Sequence, residues 1–411
     1  MKIAMFTDAY FPRINGVAVS VHSYADSLAK AGHDVCVVCL DYSEKQQKKT
    51  SFNIKLRDRK EKFRILRIPS QSASLISKED RMARLTKWRF LRKKMDEFAP
   101  DIIHVNSEFT LGYFGVTYAR HRHVPYIYTF HTLWDDYIAN YIHIFPVSGL
   151  RKFAVKVIKF YLKRANLILA PTVKIENLVK EYGITKPVRI QPTGIPDSKL
   201  KFNLGKSKNV YFHLFKKFPQ LLGKKALLFV GRVVKEKNLD FLFDVLLRVQ
   251  QELPKTMLII VGGGPYLEDL KKHAKEKGLE KSVCFTDYMD GNDLIYLYKI
   301  ATVFTFPSKT ETQGLVTIEA MLAGLPVVAI GEMGTVDVMQ GNNGGFMVKD
   351  DVEEFSQKTI ELIKNKKLHE QKAKDAVAWA NKWKISSLTP QLVDSYNEAI
   401  RLFKEEQVQS E

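Results

Sequence analysis

The chain alternates short apolar, β-rich runs with amphipathic segments, and it does so in two series. In the first half the runs are KIAMFT, DVCVVCL, DIIHVN, PYIYTFH, NLILAP and VRIQPTG, and a helical VSVHSYADSLAKAG follows the first of them. From residue 226 onward the series repeats with ALLFVG, TMLIIVGGG, VCFTDY, ATVFTFPS and GLPVVAIG. Alternation of this kind is typical of parallel sheets covered by helices. The sequence therefore predicts an α/β fold with two Rossmann-like, doubly wound parallel-sheet domains.

The segment PTGIP, from Pro192 to Pro196, interrupts the alternation and predicts the domain boundary. A chain of 411 residues exceeds what one hydrophobic core usually supports, and 45% hydrophobic residues can fill two cores. We therefore expect a first domain over 1–196 and a second over 197–387. Because ligands of open parallel sheets bind beyond the carboxyl ends of the strands, we expect the active site in a cleft between the domains.

Composition narrows the class of protein. The chain has no run of 18 or more apolar residues, and its N-terminus reaches Asp8 too early for a signal peptide. We therefore expect a cytoplasmic protein without a membrane span. Three cysteines are too few for a disulfide framework. Cys36 and Cys39 have C-x-x-C spacing, but alternation along a strand points them to opposite faces, which favours core packing over a metal or redox site.

The formal net charge of +19 is concentrated in the first half of the chain. Residues 1–196 carry 33 Lys and Arg against 17 Asp and Glu, whereas the remainder carries 31 against 28. Residues 42–95 alone have 18 basic and 5 acidic side chains, with four aromatic residues among them: Phe52, Phe63, Trp88 and Phe90. Such a region attracts polyanions, and both nucleic acid and an anionic membrane surface are candidates.

A second basic feature is the segment SGLRKFAVKVIKFYLKRANL, which predicts a helix with a single seam of lysines. The seam consists of Lys152, Lys156, Lys159 and Lys163, and its flanks carry Phe153, Val157, Ile158 and Tyr161. This composition is typical of an interfacial helix that lays its apolar groups at the headgroup boundary and its lysines on anionic lipid. The alternative is a core helix with a solvated lysine edge. On the membrane interpretation, the four lysines, Trp88 and Arg89 are the predicted membrane-binding residues.

Two loops of the second half contain features suited to a nucleotide. GRVVKEKN places Arg232 and Lys237 after a predicted strand and before a predicted helix. Two cations beside a helix N-terminus suit a diphosphate, although a solvated basic turn is an equally open interpretation. The loop VGGGPYLEDL resembles a nucleotide-binding glycine loop but lacks the full G-x-G-x-x-G pattern, so it is weak by itself.

The stretch SKTETQGLVTIEA contains two glutamates at a predicted loop-to-helix junction. Glu311 lies in the loop, Gly314 permits a tight turn, and a helix beginning near Leu315 places Glu319 about one turn inside it. The amides of Leu315 and Val316 are then unpaired first-turn donors suited to an anion. Carboxylates bind vicinal hydroxyls, so the pair suits a ligand with two sugar rings and phosphate between them. The alternative is an ordinary acidic first turn.

Other patterns are missing or ambiguous. The chain has no D-x-D pair, which argues against a metal-held diphosphate, and no G-x-x-x-x-G-K-[ST] phosphate loop. Its histidines lack metal-ligand spacing, so no metal site is predicted. His131 ends a predicted strand and is expected to face the cleft, although a satisfied loop histidine is the commoner case.

Together, GRVVKEKN, VGGGP and FPSKTETQGLVTIEAMLAGLPVVA resemble the retaining GT-B glycosyltransferases of family 4, whose motif has two glutamates separated by seven residues. TDAYFPRINGVAVSV, DIIHVNSEFTLGYFGV and VPYIYTFHTLWDDYIANY are similar to the 1,2-diacylglycerol 3-glucosyltransferases. The resemblance covers nearly the whole chain and is weakest at 42–95 and 198–225. It implies two domains facing across a cleft and a C-terminal helix, about 388–411, that packs back on the first domain.

The resemblance also implies roles for single residues. Arg232 and Lys237 match the pair that holds the donor diphosphate, Glu319 the acid on the ribose, and Glu311 the acid at the transferred sugar. The remaining matches are the cleft histidine His131 beside the sugar, the first-domain loop glycine Gly16, Met289 near the base, the glycines Gly262, Gly264 and Gly314, and the amides of Leu315 and Val316. Three positions depart from the family pattern: Asn238 and Asp287 replace glycines, and a loop acid is shifted to Asp337.

The activity implied is metal-independent transfer of a hexose from UDP-glucose or UDP-galactose to diacylglycerol, with retention and no further cofactor. The enzyme would bind peripherally to an anionic lipid surface at the cytoplasmic face of the cell membrane. One alternative is a related transferase with a glycolipid or soluble sugar acceptor. A second is a basic nucleic-acid-binding protein on a degenerate fold, which is disfavoured because the basic region accompanies an intact donor motif.

Overall fold

The structure is a computed structural model that describes residues 1–13, 15–42, 60–72, 81–131, 147–197, 216–289, 291–311, 313–340 and 343–409. The chain divides into two compact units. The first unit comprises Met1–Gly194 and Ile385–Glu411, and the second comprises Ile195–Lys384. Phe52 of the basic region and residues 132–141 of the motif VPYIYTFHTLWDDYIANY lie outside the described residues.

The first unit contains an eight-stranded sheet in the order β4-β3-β2-β1-β5-β6-β7-β8. Only the pairing of β3 with β4 is antiparallel among the described strands. The strands are β1 Lys2–Thr7, β2 Asp34–Asp41, β3 Arg64–Ser72, β4 Arg81–Ala83, β5 Ile102–Val105, β6 Tyr126–Thr129, β7 Leu167–Ala170 and β8 Val188–Ile190. The sequence did not predict β3 and β4, because β3 is only partly buried and β4 has three residues.

Helices cover both faces of this sheet. They are α1 Gly16–Lys30, α2 Trp88–Phe98, α3 Thr110–Arg122, α4 Val147–Leu162, α5 Val173–Glu181 and, after the second unit, α13 Ile385–Val408. Cys36 belongs to the core on one face and Cys39 to the core on the other. Burial raises the pKa of both thiols to about 12. The prediction that these cysteines pack in the core on opposite faces is therefore confirmed.

Helix α13 belongs to the first unit although it follows the second in the chain. It buries one apolar stripe in the core that also contains Ile3 and Met5 of β1; the stripe is Ile385, Leu388, Leu392, Tyr396 and Ala399. The guanidinium of Arg189 in β8 binds the carboxylate of Glu398 at 2.5 Å. This is the return of the C-terminal helix that the resemblance implied.

The second unit contains a six-stranded, fully parallel sheet in the order β11-β10-β9-β12-β13-β14. Its strands are β9 Lys225–Val230, β10 Thr256–Val261, β11 Val283–Phe285, β12 Val303–Phe306, β13 Val327–Ile330 and β14 Gly345–Val348. Its helices are α6 Leu239–Glu252, α7 Leu267–Glu276, α8 Gly291–Ile300, α9 Leu315–Leu322, α10 Gly334–Val338, α11 Val352–Lys364 and α12 Lys366–Ala380. The short edge strand β14 was not predicted. The sheet order places the carboxyl ends of β9 and β12 side by side, and the loops after them carry the predicted donor residues.

Candidate active site

Lys237 lies in a 3₁₀ turn, Lys235–Lys237, between β9 and α6. Its side chain is buried, and its Nζ lies 2.9 Å from Oε2 of Glu311 and 3.3 Å from Oγ of Ser308. A buried ammonium group requires such partners, because loss of hydration is otherwise costly. We call Lys237, Ser308 and Glu311 the lysine cluster. The alternative of a solvated basic turn therefore does not hold for Lys237.

Arg232, the second predicted cation, has a different environment. Its side chain is exposed, and its Nη2 lies 3.3 Å from Oε1 of Glu236. A surface contact of this type is weak, contributing about 0.2–1 kcal/mol. The guanidinium is therefore available to exchange Glu236 for a stronger anionic partner.

Glu311 is held from its backbone as well as from its carboxylate. Its carbonyl oxygen accepts a hydrogen bond of 2.8 Å from the amide of Gly334, the first residue of α10. Gly314 has φ +65°, a conformation in which glycine is strongly favoured, and it directly precedes α9. The helix begins at Leu315, as predicted, and none of the described side chains caps its first turn. Its first amides are thus suited to an anion.

Glu319 is the fifth residue of α9 and is 4% exposed. The hydroxyl of Tyr298, in α8, donates to Oε2 of Glu319 at 3.2 Å. Burial and the neighbouring carboxylate raise the pKa of Tyr298 well above its usual value, so its hydroxyl keeps its proton. Glu319 is thus a buried acceptor with a fixed orientation, unlike the exposed acids of an ordinary first helical turn.

The glycine loop VGGGP packs against the backbone that carries Arg232. A Cβ atom on Gly262 would lie 1.8 Å from the oxygen of Gly231, and one on Gly264 would lie 2.1 Å from the oxygen of Val233. A side chain at either position would collide with the backbone of residues 231–233, so glycine is required for the two loops to pack together. The middle glycine, Gly263, has no neighbour within 4 Å of such an atom among the described residues. Of the three, Gly263 is the one with room for a ligand.

The two departures from the family glycines share one backbone conformation. Asn238 has φ 57° and Asp287 has φ 58°. Glycine adopts this left-handed region without strain, and Asn and Asp tolerate it best among the other residues. The carbonyl of Asp287 accepts a hydrogen bond of 2.8 Å from the amide of Gly262. The substitutions therefore preserve the local backbone.

Two further predicted positions lie in this unit. Met289 is 8% exposed, and its side chain belongs to the core. Any contact with a base would therefore come from its backbone. Asp337 lies in α10, the helix whose first amide binds Glu311.

His131 and Gly16 belong to the first unit. His131 follows β6, and its Nε2 lies 3.2 Å from Oδ1 of Asn106. Desolvation lowers the pKa of His131 to about 4, so the ring is neutral at pH 7. Gly16 is the exposed first residue of α1, and a Cβ atom added to it would have no neighbour within 4 Å among the described residues. Asn15 caps this helix by accepting a hydrogen bond from the amide of Ala18 at 2.8 Å.

The predicted lysine seam lies on α4 and just beyond its end. Lys152, Lys156 and Lys163 are exposed, whereas Lys159 is half-buried. Ile158 and Tyr161, two of the flanking apolar residues, are buried in the core. The expectation that these two side chains reach a membrane is therefore wrong, because the same helix face covers the sheet. Trp88 is half-buried and Arg89 is exposed.

Sequence reasoning missed three polar residues that orient the predicted ones. Ser308 contacts Lys237, Tyr298 contacts Glu319, and Asn106 contacts His131. Ser308 and Asn106 each follow the end of a buried strand, in FPS and HVNS, and that position was the available signal. Tyr298 lies within an amphipathic helix, and nothing local distinguishes it from a core tyrosine.

Metal clusters and membrane-spanning helices are both absent from the described ranges. No group of three or more His, Cys, Asp or Glu side chains there could hold a metal ion. No helix in that part of the chain has the length and hydropathy needed to cross a membrane.

Comparison with known proteins assigns the family. Residues 14–199 match Glycosyltransferase Family 4, and residues 211–379 match Glycosyl transferases group 1. The alpha-monoglucosyldiacylglycerol synthase of Streptococcus pneumoniae is 31% identical over 80% of this chain and 71% of its own length. This chain is a family 4 glycosyltransferase. The synthase of the same name from Acholeplasma laidlawii is 27% identical to this glycosyltransferase over 89% of each chain.

Solved structures support the GT-B fold of this glycosyltransferase. Anabaena HepE, crystallised with UDP, superposes with a TM-score of 0.73 over 97% of this chain and 100% of its own, at 17% identity. The same protein crystallised with UDP-glucose gives a TM-score of 0.71. The sequence-based expectation of two Rossmann-like domains in a family 4 glycosyltransferase is confirmed.

Proposed function

We propose that the chain transfers glucose from UDP-glucose to diacylglycerol with retention, forming an α-linked glycolipid at the cytoplasmic face of a membrane. The observation that carries the donor half is the lysine cluster, in which a buried cation and a carboxylate meet where two strands of the second unit end. The names of the two bacterial relatives support the acceptor, and HepE complexes with UDP and UDP-glucose support the donor.

The residues of the second unit suit the separate parts of a nucleotide sugar. Arg232 and Lys237 would bind the diphosphate together with the uncapped amides of α9. Glu319, buried and oriented by Tyr298, would accept hydrogen bonds from the ribose hydroxyls. Glu311 would contact the transferred sugar. These roles require no metal ion.

The proposed chemistry follows a front-face route. The bond between the sugar and the diphosphate breaks, the departing β-phosphate takes the proton of the acceptor hydroxyl, and that oxygen bonds to the same face of the sugar. Arg232 and Lys237 stabilise the negative charge that develops on the leaving group, and Glu311 stabilises the positive charge on the ring. The arriving diphosphate would displace the Glu311 carboxylate from Lys237. Donor binding would therefore free this carboxylate.

Exposed aromatic and basic side chains of the first unit support a membrane-facing surface. Phe90 and Tyr113 are 43% and 44% exposed, respectively. The Tyr113 ring packs 5.8 Å from that of Trp88 and 5.7 Å from that of Phe160, and the guanidinium of Arg164 lies 4.1 Å above Phe160. Rings with a polar edge and basic neighbours are suited to the headgroup region of a bilayer.

These ring contacts join α2, α3 and α4, and the same helices carry the exposed basic residues Arg89, Lys152 and Lys156. A cavity of about 330 Å³ opens between α2 and α3, lined by Trp88, Arg92, Tyr113, Phe114, Thr117, Tyr118, His121 and Arg122. Basic residues near an anionic leaflet contribute about 1 kcal/mol each, so several of them suffice for reversible binding. The aromatic groups replace the buried flank of α4 as the apolar part of this surface.

A transfer assay tests the activity directly. The protein is incubated with diacylglycerol vesicles and either UDP-glucose or UDP-galactose, and the glycolipid is identified by mass and by its anomeric proton coupling. We expect an α-glucosyl product and unchanged activity in excess chelator. A β-linked product, or transfer only to a glycolipid or soluble sugar, would overturn the corresponding part of the proposal.

Vesicle flotation tests the membrane surface. The parent should float with vesicles that contain phosphatidylglycerol and much less with purely zwitterionic vesicles. Reversing three exposed lysines of the first unit, in the variant Lys152→Glu, Lys156→Glu, Lys163→Glu, should abolish flotation. The matched control reverses three exposed lysines of α12 in the second unit, Lys366, Lys367 and Lys374, and should still float. Stronger binding to duplex DNA than to these vesicles would favour the nucleic-acid alternative.

A further inference from the structure

The polar side chains at the carboxyl ends of β5 and β6 form an ordered ladder on one face of the first sheet. His104 and Asn106 lie two residues apart on β5 and its extension, and Thr129 and His131 lie two residues apart on β6 and its extension. Nε2 of His104 is 2.6 Å from Oγ1 of Thr129, and Nε2 of His131 is 3.2 Å from Oδ1 of Asn106. Each histidine therefore contacts a polar side chain of the neighbouring strand.

The orientation of the Asn106 amide follows from its second contact. Its Nδ2 lies 3.2 Å from the backbone oxygen of His104, and a carbonyl oxygen can only accept a hydrogen bond. The amide nitrogen must therefore face His104, which leaves Oδ1 facing His131. Asn106 is 3% exposed, and its backbone N–H donates a hydrogen bond of 2.8 Å to the backbone oxygen of Phe6. The residue is therefore held by both its backbone and its side chain.

This orientation determines which nitrogen of His131 carries the proton. Oδ1 of Asn106 has no hydrogen to donate, so Nε2 of His131 must be the donor of the 3.2 Å contact. Desolvation keeps the ring neutral, because it lowers the pKa of His131 to about 4. In a neutral ring with a proton on Nε2, the other nitrogen has a lone pair. Nδ1 of His131 is thus an acceptor.

From this geometry we infer that Asn106 is a positioning residue that fixes His131 as the Nε2–H tautomer, so that Nδ1 accepts a hydrogen bond from a substrate hydroxyl. The substrate partner is thereby limited to a donor group: a sugar or glycerol hydroxyl fits, whereas a phosphate oxygen does not. His131 has this role in transfer only if the proposed function holds, whereas its tautomer can be measured in either case.

The far end of the ladder supplies an internal control. Nδ1 of His104 lies 2.8 Å from the hydroxyl of Tyr396, in α13. Tyr396→Phe removes that hydroxyl from the same ladder without removing either contact of the Asn106 side chain. A general loosening of the first unit should therefore affect both variants, whereas specific positioning of His131 depends on Asn106 alone.

The test uses the full chain labelled with ¹⁵N-histidine, with the His131 signals assigned from their loss in His131→Gln. At pH 7 the parent and Tyr396→Phe should show a protonated Nε2 and an unprotonated Nδ1. In Asn106→Leu, which is similar in volume but has no acceptor, the two tautomers should exchange. Finding the same single tautomer in Asn106→Leu as in the parent, or a protonated Nδ1 in the parent, would overturn the inference.

Asn106→Asp keeps the proposal testable if the leucine variant does not fold. Its carboxylate still accepts from Nε2, so the tautomer should persist, and the new charge should raise the pKa of His131 above that of the parent. His104 is the titratable group that interacts with His131 in the part of the chain that the structure describes, and it is present in every variant. An unchanged pKa in Asn106→Asp would show that the two side chains do not interact.

Measuring transferase activity in the same variants distinguishes a failure of the positioning inference from a failure of the proposed function. In the transfer assay Asn106→Leu should lower kcat/KM by about 10-fold, the value expected for one hydrogen bond, and Asn106→Asp should recover most of it at pH values above the pKa of His131. A parent without transferase activity would refute the proposed function but leave the tautomer result intact. Full activity in Asn106→Leu with a changed tautomer would refute the substrate contact.

Discussion

The ammonium group of Lys237 lies 2.9 Å from the carboxylate of Glu311, a residue that is far away in the sequence and in a different loop. Lys237 is 8% exposed, so this contact stabilises a charge that has lost most of its hydration. A diphosphate bound to Lys237 would take the place of the carboxylate. On the proposed function, Glu311 would occupy the donor site when the donor is absent and would take part in transfer when the donor is present.

We expect Glu311→Gln to lower the transfer rate by about 10²- to 10³-fold, the loss typical of one electrostatic contact to a transition state. UDP should bind at least as tightly as it does to the parent, because the substitution removes the carboxylate charge that the diphosphate has to displace from Lys237. Single-turnover rates and calorimetric titration with UDP measure the two effects. The matched control is Glu236→Gln, which removes the exposed partner of Arg232; a variant of Glu311 as active as this control would contradict the assignment.

Glu319→Gln should have the opposite profile. A hydrogen bond to a charged group contributes about 1.5–3 kcal/mol, so UDP should bind at least about 10-fold more weakly. Tyr298→Phe removes the hydroxyl that orients Glu319 and should weaken UDP binding less, since the carboxylate itself remains. Calorimetry with UDP and with the free base separates ribose contacts from base contacts. Equal UDP affinity in the parent and Glu319→Gln would exclude a ribose role.

The left-handed backbone at Asp287 gives a stability prediction. Because a non-glycine residue at φ 58° is strained, Asp287→Gly should leave the free energy of unfolding unchanged or raise it, whereas Asp287→Ala should lower it by about 1 kcal/mol. Urea denaturation measures both variants. Tyr288→Ala, at the adjacent and 73% exposed position, should have little effect. If Asp287→Ala were as stable as Asp287→Gly, the strain would be absent.

His104 makes the stability of the first unit dependent on pH. Burial lowers the pKa of His104 to about 3, so below pH 6.5 the unfolded chain takes up a proton that the folded chain excludes. Stability is therefore full above pH 6.5 and is lost as the pH falls from 6.5 towards 3. At pH 5 the loss is about 2 kcal/mol, from 1.36 kcal/mol per pKa unit.

Hydrogen exchange of the β5 amides measures this loss. Between pH 7 and pH 5, the opening free energy of the parent should fall by about 2 kcal/mol more than that of His104→Gln, which has no titrating group at this position. Comparing the two proteins removes the contributions of other groups, including Asp8, whose pKa is raised by burial. Parallel pH profiles in both proteins would mean that His104 titrates normally when folded.

The strands that could be predicted from the sequence are those whose residues are almost all buried. β10, whose six residues are all buried, and β2, buried except at its ends, have apolar runs that identify them without reference to the rest of the chain. β3, β4 and β14 are partly exposed, short or at a sheet edge, so their residues do not differ from those of a loop. Pairing with a neighbour, which sequence pattern does not contain, makes them strands.

The candidate site was predictable in its loops but not in its contacts. Each predicted donor residue lies in a loop after a buried strand or in the first two turns of a helix, and both positions can be read from local pattern. The contact of Asn106 with His131 depends on the register of two strands, and the contact of Lys237 with Glu311 depends on the order of β9 and β12. The burial of Ile158 and Tyr161 was misjudged because a helix with lysines on one side presents two flanks, and composition does not say which of them covers the sheet.

The placement of α13 sets the order in which the chain can fold during synthesis. The second unit is one continuous segment, whereas the core of the first unit is incomplete without Leu388, Leu392 and Tyr396. A ribosome that has released residue 384 has therefore supplied everything the second unit needs. The first sheet, translated earlier, must wait for the last helix with part of its apolar face and the hydroxyl partner of His104 missing. A chain that ends at Lys384 should thus bind UDP while its N-terminal half remains sensitive to protease.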